Sequence, residues 1–305
     1  MRATLPTTVP SDFLKVSDLD ADQLAALLDL AATMKERPHG FVEALRGDTV
    51  VCFFEQPSTR TRVSFAAAAE RLGMLPLLLR PDELQLGRGE PIGDTAHVLS
   101  GYAAAIVVRT FAQATVEQMA AVATVPVINA LTDEHHPCQA LADLLTLRER
   151  FGRLEGLRLA YIGDGNNVAN SLVEAGALAG LDVVVASPPG YSPSVAGANV
   201  VEDPYKTVRG ADAVYTDVWA SMGDEAEADV HRRDLEAYRV DAPLLEAAKE
   251  EAIFLHCLPA HRGEEVTSDV IDGPQSAVWQ QAENRMPTEE ALLFALVARS
   301  WRAGA

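Results

Sequence analysis

The sequence predicts an α/β protein of two doubly wound domains, each a parallel sheet flanked by helices. Short aliphatic runs alternate along the chain with longer helix-like segments, which is the pattern of parallel strands joined by crossover helices. The length of 305 residues exceeds one simple core and suits two domains. A hydrophobic fraction of 48% supplies enough aliphatic side chains for two buried sheets.

The first half predicts four strands, at 50–54, 75–80, 104–108 and 125–129, with helices near 61–72, 92–102 and 116–123. An amphipathic segment at 139–151 then runs into a glycine-containing turn. Strands restart at 158–162, 182–186, 213–216 and 252–256. The Pro- and Gly-rich stretch 187–204 and the acidic stretch 222–234 are interpreted as loops, and a last helix at 288–301 opens with a Thr cap. We place the domain boundary at the segment 139–151, which gives one domain of residues 1–138 plus 286–305 and another of 139–285.

Composition excludes several kinds of partner. With 44 acidic and 25 basic residues the net charge is −19, so nucleic acid and anionic membranes are poor candidates, although a local arginine cluster could still bind an anion. No apolar run approaches the ~20 residues of a membrane span. The three cysteines form no C-x-x-C pair, which disfavours a zinc site or a disulfide scaffold and indicates a reducing compartment. The chain opens without a secretion signal, and we expect a cytoplasmic protein.

A hydroxyl- and arginine-rich motif follows the first strand. In F-F-E-Q-P-S-T-R-T-R, residues 53–62, a strand gives way to a helix that begins among Ser58, Thr59, Arg60 and Thr61. Hydroxyls, a guanidinium and backbone N–H groups at a helix N-terminus can bind phosphate. Ser and Thr also favour ordinary helix starts, so the residues alone leave a phosphate site and a capped turn both open.

A second motif, D-E-H-H-P-C-Q at residues 133–139, puts His136 and Gln139 at another junction between strand and helix, with Pro137 suited to the first helical position. A ligand at the carboxyl ends of the strands would meet both side chains. The alternative is a surface turn without a ligand.

Two further strand ends carry polar groups. In F-L-H-C-L-P-A, residues 254–260, His256 and Cys257 are adjacent on a strand and therefore face opposite ways, so they form no Cys–His dyad. Buried packing explains such a cysteine equally well. In Y-T-D-V-W-A-S-M-G, residues 215–223, Asp217 ends a strand and could be either a ligand or a turn residue.

The segment Y-I-G-D-G-N-N-V, residues 161–168, is an incomplete dinucleotide fingerprint. Val168 stands at the third glycine position, and the next strand ends without a carboxylate for a ribose. Asn166 and Asn167 are instead predicted to face a cleft. No Walker P-loop, H-E-x-x-H or G-x-S-x-G motif is present.

Together these motifs resemble the aspartate/ornithine transcarbamoylase family, from about Phe13 to the C-terminus. S-T-R-T-R and H-P-C-Q, in this order and separation, are similar to its two carbamoyl phosphate signatures. H-C-L-P and D-x-W-x-S-M-G resemble the ornithine branch, as do E-L-Q-L-G-R-G-E at residues 83–90 and A-E-N-R at 282–285.

The resemblance implies an active site in the cleft between a carbamoyl phosphate-binding domain (1–138 plus 286–305) and an ornithine-binding domain (139–285). It implies carbamoyl transfer to L-ornithine, giving L-citrulline and phosphate as a step of arginine metabolism, without a metal or organic cofactor. The carbamoyl phosphate ligands would be Ser58, Thr59, Arg60, Thr61, Gln85, Arg109, His136, Gln139, Cys257, Leu258 and Arg285. Ornithine would be held by Asn167, Asp217, Ser221 and Met222, and the catalytic residues would be Arg109, His136, Asp217 and Cys257. Gln85 would reach into a neighbouring subunit's site, which implies a homotrimer or a multiple of trimers.

Two departures from the family pattern stand out. Gln56 replaces a lysine common among the ornithine enzymes, and the stretch 186–211 is shorter by roughly a helix. Three rival interpretations stay open. They are a transcarbamoylase for another amine such as putrescine or N-acylated ornithine, a nicotinamide dehydrogenase based on G-D-G-N-N, and a non-catalytic regulator that binds carbamoyl phosphate.

Overall fold

The computed structural model describes residues 8–80, 82, 89–219 and 228–301. The chain forms two compact units: unit 1 is Met1–Leu145 with Asn284–Ala305, and unit 2 is Thr146–Glu283. Each unit is built on an all-parallel sheet flanked by helices, so the predicted fold class is confirmed. The domain bounds drawn from the sequence stay a prediction.

The elements follow in chain order. The first are α1 (Ala21–Glu36), β1 (Thr49–Phe54), α2 (Arg60–Arg71), β2 (Leu75–Leu79), α3 (Ile92–Ser100), β3 (Ala105–Arg109), α4 (Gln113–Val122), β4 (Val127–Leu131) and α5 (Pro137–Phe151). Next come β5 (Arg158–Ile162), α6 (Asn167–Ala179), β6 (Asp182–Ala186), β7 (Asn199–Val201), α7 (Pro204–Val208), β8 (Ala213–Thr216), α8 (Ala228–Leu235), α9 (Ala242–Glu246), β9 (Ile253–His256), α10 (Ser268–Ile271) and α11 (Val278–Glu283). The last is α12 (Arg285–Ala298).

The sheet of unit 1 has the order β2-β1-β3-β4. All five residues of β3 are buried, and so are the last five of β1. These central strands are nearly continuous aliphatic runs because helices cover both faces of a parallel sheet. Edge strand β2 leaves Leu75 and Leu77 exposed.

The sheet of unit 2 has the order β7-β6-β5-β8-β9. Its strand order reverses between β5 and β8, as that of unit 1 reverses between β1 and β3. Ligands of open parallel sheets bind outside the carboxyl ends of the strands at such switch points. In both units the sequence motifs lie at these ends: Arg60 follows β1 and Arg109 ends β3, while Asn166 follows β5 and Asp217 follows β8.

Three local predictions are wrong. The stretch 187–204 contains β7, whose Val200 pairs with Val185 of β6; three residues are too few to show a period of two. Residues 228–234 are helical, not a loop, and an Asp229–Arg232 pair spans one turn of α8. The rest of that predicted loop lies outside the described residues.

The last helix begins at Arg285, not Thr288, and ends at Ala298. Pro287 lies in its first turn, where a missing N–H costs nothing. The Thr288 hydroxyl donates backward to the carbonyls of Asn284 (2.8 Å) and Arg285 (3.0 Å), so it caps no helix. Glu289 and Glu290 lie beyond the first turn of this helix and are fully buried.

None of the described helices is both long enough and apolar enough to cross a lipid bilayer.

Candidate active site

A buried group of polar side chains, the arginine cluster, lies at the carboxyl end of the unit 1 sheet. It consists of Thr61, Arg109, His136, Gln139 and Arg285, each at most 6% exposed. Arg285 Nη1 donates to Gln139 Oε1 at 2.9 Å and Nη2 donates to Thr61 Oγ1 at 3.2 Å. Residues from the starts of α2, α5 and α12 therefore meet at one place, as the sequence motifs predict.

The arginine side chains affect the protonation state of His136. Burial lowers the pKa of this imidazole well below its ordinary value, and the charges of Arg285, Arg109 and Arg60 lower it further. His136 is therefore neutral at pH 7 and can donate one N–H without adding charge. The same three guanidiniums create the positive potential that an anionic ligand requires in a chain of net charge −19.

The remaining residues of the first motif are adjacent in sequence to Thr61 of the cluster. Ser58 is half-buried and Thr59 exposed, and they directly precede Arg60 at the start of α2. The backbone N–H groups of this first turn lack partners within the helix and favour an anion. Gln56, the departure from the family pattern, is 4% exposed, so an uncharged side chain occupies a buried position beside these residues.

A second group, the Asp217 cluster, lies at the carboxyl end of the unit 2 sheet and consists of Asn166, Asp217 and Cys257. Asp217 is 7% exposed and accepts two hydrogen bonds, from Asn166 Nδ2 to Oδ2 and from Cys257 Sγ to Oδ1, both of 2.8 Å. Both donors are neutral, so neither of them supplies a positive charge to the Asp217 carboxylate. Such a group can receive an ammonium.

Asn166 is fixed by the helix that follows it. Its Oδ1 accepts from the backbone N–H of Val168 (3.0 Å) and Ala169 (3.3 Å), which makes it the N-cap of α6, and from the Tyr161 hydroxyl (3.1 Å). The cap leaves the amide nitrogen directed at Asp217. Asn167, the predicted ornithine ligand, is the first residue of α6 and half-buried.

The turn after β9 holds Cys257 beside Asp217. The backbone N–H of Leu258 donates to His256 Nδ1 at 2.8 Å, so the opposite nitrogen, Nε2, carries the proton directed at Glu265 Oε1, 3.3 Å away. Leu258 adopts a left-handed backbone conformation (φ 60°) before a cis bond to Pro259. Both ring nitrogens of His256 are engaged, and a ring nitrogen lies within 4.8 Å of the Cys257 sulfur, closer than the opposite faces expected from the sequence.

Among the described residues, two groups of side chains have the spacing of metal ligands, within 4.8 Å of one another: Asp217 with His256 and Cys257, and His261 with Glu264 and Glu265. In the first group each ligand atom is already in a hydrogen bond. In the second, Glu264 pairs with Arg232 at 3.0 Å.

The glycine-rich segment has a packing role. A Cβ added at Gly165 would lie 2.3 Å from the backbone nitrogen of Pro193, so only glycine permits this close approach. The signal that resembles a dinucleotide fingerprint therefore reflects contact between two backbone segments of unit 2.

Three predicted site residues, Gln85, Ser221 and Met222, lie outside the described residues.

Comparison with known proteins assigns the chain to a family. Residues 11–149 match the carbamoyl-P binding domain of aspartate/ornithine carbamoyltransferase, and residues 155–296 match its Asp/Orn binding domain. The chain belongs to the aspartate/ornithine carbamoyltransferase family. The resemblance inferred from the motifs is confirmed, and the protein is a carbamoyltransferase enzyme.

Similarity extends over almost the whole chain. It is 53% identical over 299 residues to an ornithine carbamoyltransferase of Acidothermus cellulolyticus, a match that covers 93% of this chain and 96% of that relative. Among solved structures, ornithine carbamoyltransferase from Thermus thermophilus has a TM-score of 0.89 at 44% identity, with 95% of this chain and 100% of that one covered. The enzyme from Pyrococcus furiosus has a TM-score of 0.90 at 46% identity, with 95% and 98% covered.

Proposed function

We propose that this enzyme transfers the carbamoyl group of carbamoyl phosphate to the side-chain amine of L-ornithine, releasing L-citrulline and phosphate. Relatives at about 50% identity that bear the name ornithine carbamoyltransferase support this reaction. The observation that carries the choice of amine is the Asp217 cluster, in which a buried carboxylate is held by two neutral donors. An amino acid with a free α-ammonium would supply a positive charge that neither of these donors provides.

In this proposal the arginine cluster binds the acyl phosphate. Ser58, Thr59, Arg60 and Thr61 hold the phosphate, Arg109 bridges phosphate and carbonyl oxygen, and Arg285 closes the site. Neutral His136 donates an N–H to that oxygen together with Thr61 and Arg109, where negative charge grows as the amine attacks. A well-aimed donor of this kind lowers the activation free energy by about 3–4 kcal/mol.

The reaction forms one C–N bond, breaks one C–O bond and moves one proton from the attacking nitrogen to the departing phosphate. The neutral δ-amine attacks the carbamoyl carbon, a C–N bond forms, and the bond from that carbon to the bridging oxygen breaks with phosphate as the leaving group. The amine has an ordinary pKa near 10, so it must lose a proton to react. Asp217 holds the α-ammonium and Cys257 lies beside the attacking amine. Asn167, Ser221 and Met222 bind the rest of ornithine, while Gln139 and the Cys257–Leu258 backbone receive the carbamoyl NH₂.

The proposal extends to assembly and setting. Gln85 completes the site of a neighbouring subunit, so the working unit is a homotrimer or a multiple of it, and light scattering should give at least three times the 32.7 kDa of one chain. Residues 1–138 plus 286–305 form the carbamoyl phosphate-binding domain and 139–285 the ornithine-binding domain. We place the enzyme in the cytoplasm, which is supported by three cysteines that form no disulfide.

A citrulline assay with a panel of amines tests the proposal. We expect L-ornithine to exceed putrescine and N-acetylornithine by at least about a hundredfold in kcat/KM, because the analogues leave the Asp217 carboxylate without its ammonium. Comparable rates with putrescine would remove the ornithine assignment while leaving the carbamoyl transfer. Binding of carbamoyl phosphate with no product from any amine would favour the non-catalytic regulator.

A further inference from the structure

The guanidinium of Arg285 is held by more than the two residues it shares with the candidate site. Its Nε and Nη2 atoms both donate to Glu289 Oε1, at 3.1 and 2.6 Å. Nη1 donates to Gln139, and Nη2 also donates to Thr61. Glu289 is thus the charged partner in a network whose other two acceptors are neutral.

The position of Glu289 on α12 fixes the direction of the Arg285 side chain. Arg285 and Glu289 are separated by four residues on α12, so their side chains lie on one face of a helix. Both are at most 2% exposed, and neither can turn toward water. A guanidinium whose Nε and Nη2 edge is fixed on one carboxylate oxygen directs Nη1 to Gln139 and Nη2 to Thr61. Gln139 and Thr61 are both carbamoyl phosphate ligands in the proposed function.

We propose that Glu289 is a positioning residue of the carbamoyl phosphate site, one that aligns Arg285 with Thr61 and Gln139 and whose negative charge opposes the bound phosphate. This inference rests on the proposed function of the arginine cluster. Glu289 touches neither substrate in the proposal; it acts through Arg285.

The repulsion between Glu289 and a bound phosphate depends on the charge state of Glu289. Burial raises the pKa of this carboxyl to about 7, against the opposing influence of Arg285 and of a hydrogen bond from Ser64. Glu289 is therefore largely protonated at pH 6 and ionised at pH 8. An ionised Glu289 repels an incoming dianion, whereas the protonated form does not.

Among the other titratable groups near Glu289, Glu290 changes charge over the same range because burial raises its pKa to about 7, whereas two thiols and an imidazole do not. Burial raises the pKa of the thiols Cys52 on β1 and Cys138 on α5, and burial lowers that of His136. The charged groups whose fields meet this network are Arg62 and Arg71 of α2, Arg285 of α12 and Asp143 of α5, while Lys35 of α1 bonds to Asn284 at the start of α12.

Glu290 provides a matched control. It is the next residue on α12, is equally buried, and has a pKa that burial also raises to about 7. Its charged neighbour is Arg71, at 3.8 Å, rather than Arg285. The E290Q variant removes a buried carboxyl from the same helix but leaves the Arg285 network in place.

The test compares E289Q, E289A and E290Q with the wild type at pH 6 and pH 8. In E289Q the amide oxygen accepts the same bonds from Arg285, so kcat should stay within about twofold, and the KM for carbamoyl phosphate should fall roughly three- to tenfold at pH 8 and stay unchanged at pH 6. In E289A the alignment is lost, and kcat should fall about tenfold at both pH values. E290Q should follow the wild type in both parameters.

Calorimetry with inorganic phosphate gives a readout independent of turnover. The ratio of Kd between wild type and E289Q should depend on pH as the ratio of KM does, because the ionisation of phosphate is common to all variants. If E289Q matches E290Q at both pH values, or loses as much kcat as E289A, the positioning role is overturned. A wild type that binds phosphate but forms no citrulline would overturn the proposed function instead, and the phosphate ratio would still decide the role of Glu289.

Discussion

The arginine cluster of unit 1 and the Asp217 cluster of unit 2 prepare for their ligands in opposite ways. In unit 1, burial lowers the pKa of His136 and three guanidiniums lower it further, so a neutral imidazole lies among positive charges. In unit 2, one carboxylate accepts hydrogen bonds from a thiol and an amide, both neutral. The first cluster suits a small dianion and the second suits a cation.

The difference also concerns rigidity. Each member of the arginine cluster is nearly inaccessible to water and stems from the end of a strand or the start of a long helix. Cys257, by contrast, is half-buried on a turn in which Leu258 adopts a left-handed conformation. A site that must stabilise developing charge needs preset donors, whereas a site that selects among amines needs only one well-placed charge.

The largest effect should come from Arg109→Met. Removing a preset positive charge next to the growing oxyanion should lower kcat/KM by about a hundred- to a thousandfold. The midpoint of thermal unfolding should change little, because Met retains most of the buried aliphatic volume. Steady-state citrulline formation and a melting curve measure both.

Arg80→Met is the control for that variant. Arg80 follows strand β2 of the same sheet but is exposed and faces Asp82 at 3.8 Å. Activity of this control should stay within a factor of about two, since exposed pairs contribute little. Equal losses in the two variants would mean that general surface charge, not the cluster, attracts the substrate.

A smaller effect, confined to the amine, should follow Asp217→Asn. The KM for L-ornithine should rise roughly ten- to a hundredfold, because one charge-assisted hydrogen bond is lost, while the KM for carbamoyl phosphate should not change. Asp212→Asn is the control: Asp212 precedes the same strand, β8, and pairs with Lys249 at 2.7 Å at the opposite end. If both variants raised the KM for ornithine alike, the carboxyl end of the sheet would have no special role.

Much of the fold could be predicted because periodicity and burial agree. Strands such as Arg158–Ile162 and Ala213–Thr216 were bounded correctly, since helices cover both faces and the aliphatic run equals the strand. Prediction failed where tertiary contacts override local sequence. The strand β7 depends on pairing with β6, and α12 begins three residues early because Pro287 is compatible with a first turn.

Within the site, motifs identified side chains that are proposed to meet a ligand but missed those that hold other side chains. Asn166 was predicted only as a polar group facing a cleft, although an Asn before a helix is a recognisable N-cap. Glu289 was not predicted to be part of the site. Its burial and its contact with Arg285 depend on where α12 begins and on its packing against α1 and α2, which one sequence does not reveal.

The smallest effect should come from Cys257→Ser, which tests whether the Asp217 cluster uses the thiol as a neutral donor. A hydroxyl can replace the S–H directed at Asp217 Oδ1, so the KM for ornithine should change by less than about threefold, whereas Cys257→Ala should raise it by roughly three- to tenfold. Cys138→Ser controls for the loss of a sulfur: its thiol donates to the Asn129 carbonyl in unit 1 at 3.4 Å, so it should lower stability without altering the KM for ornithine. A thousandfold loss of kcat in Cys257→Ser with binding intact would instead require thiolate chemistry. In that case the Asp217 cluster would act on the reacting atoms, as the arginine cluster does, and would not serve only to select the amine.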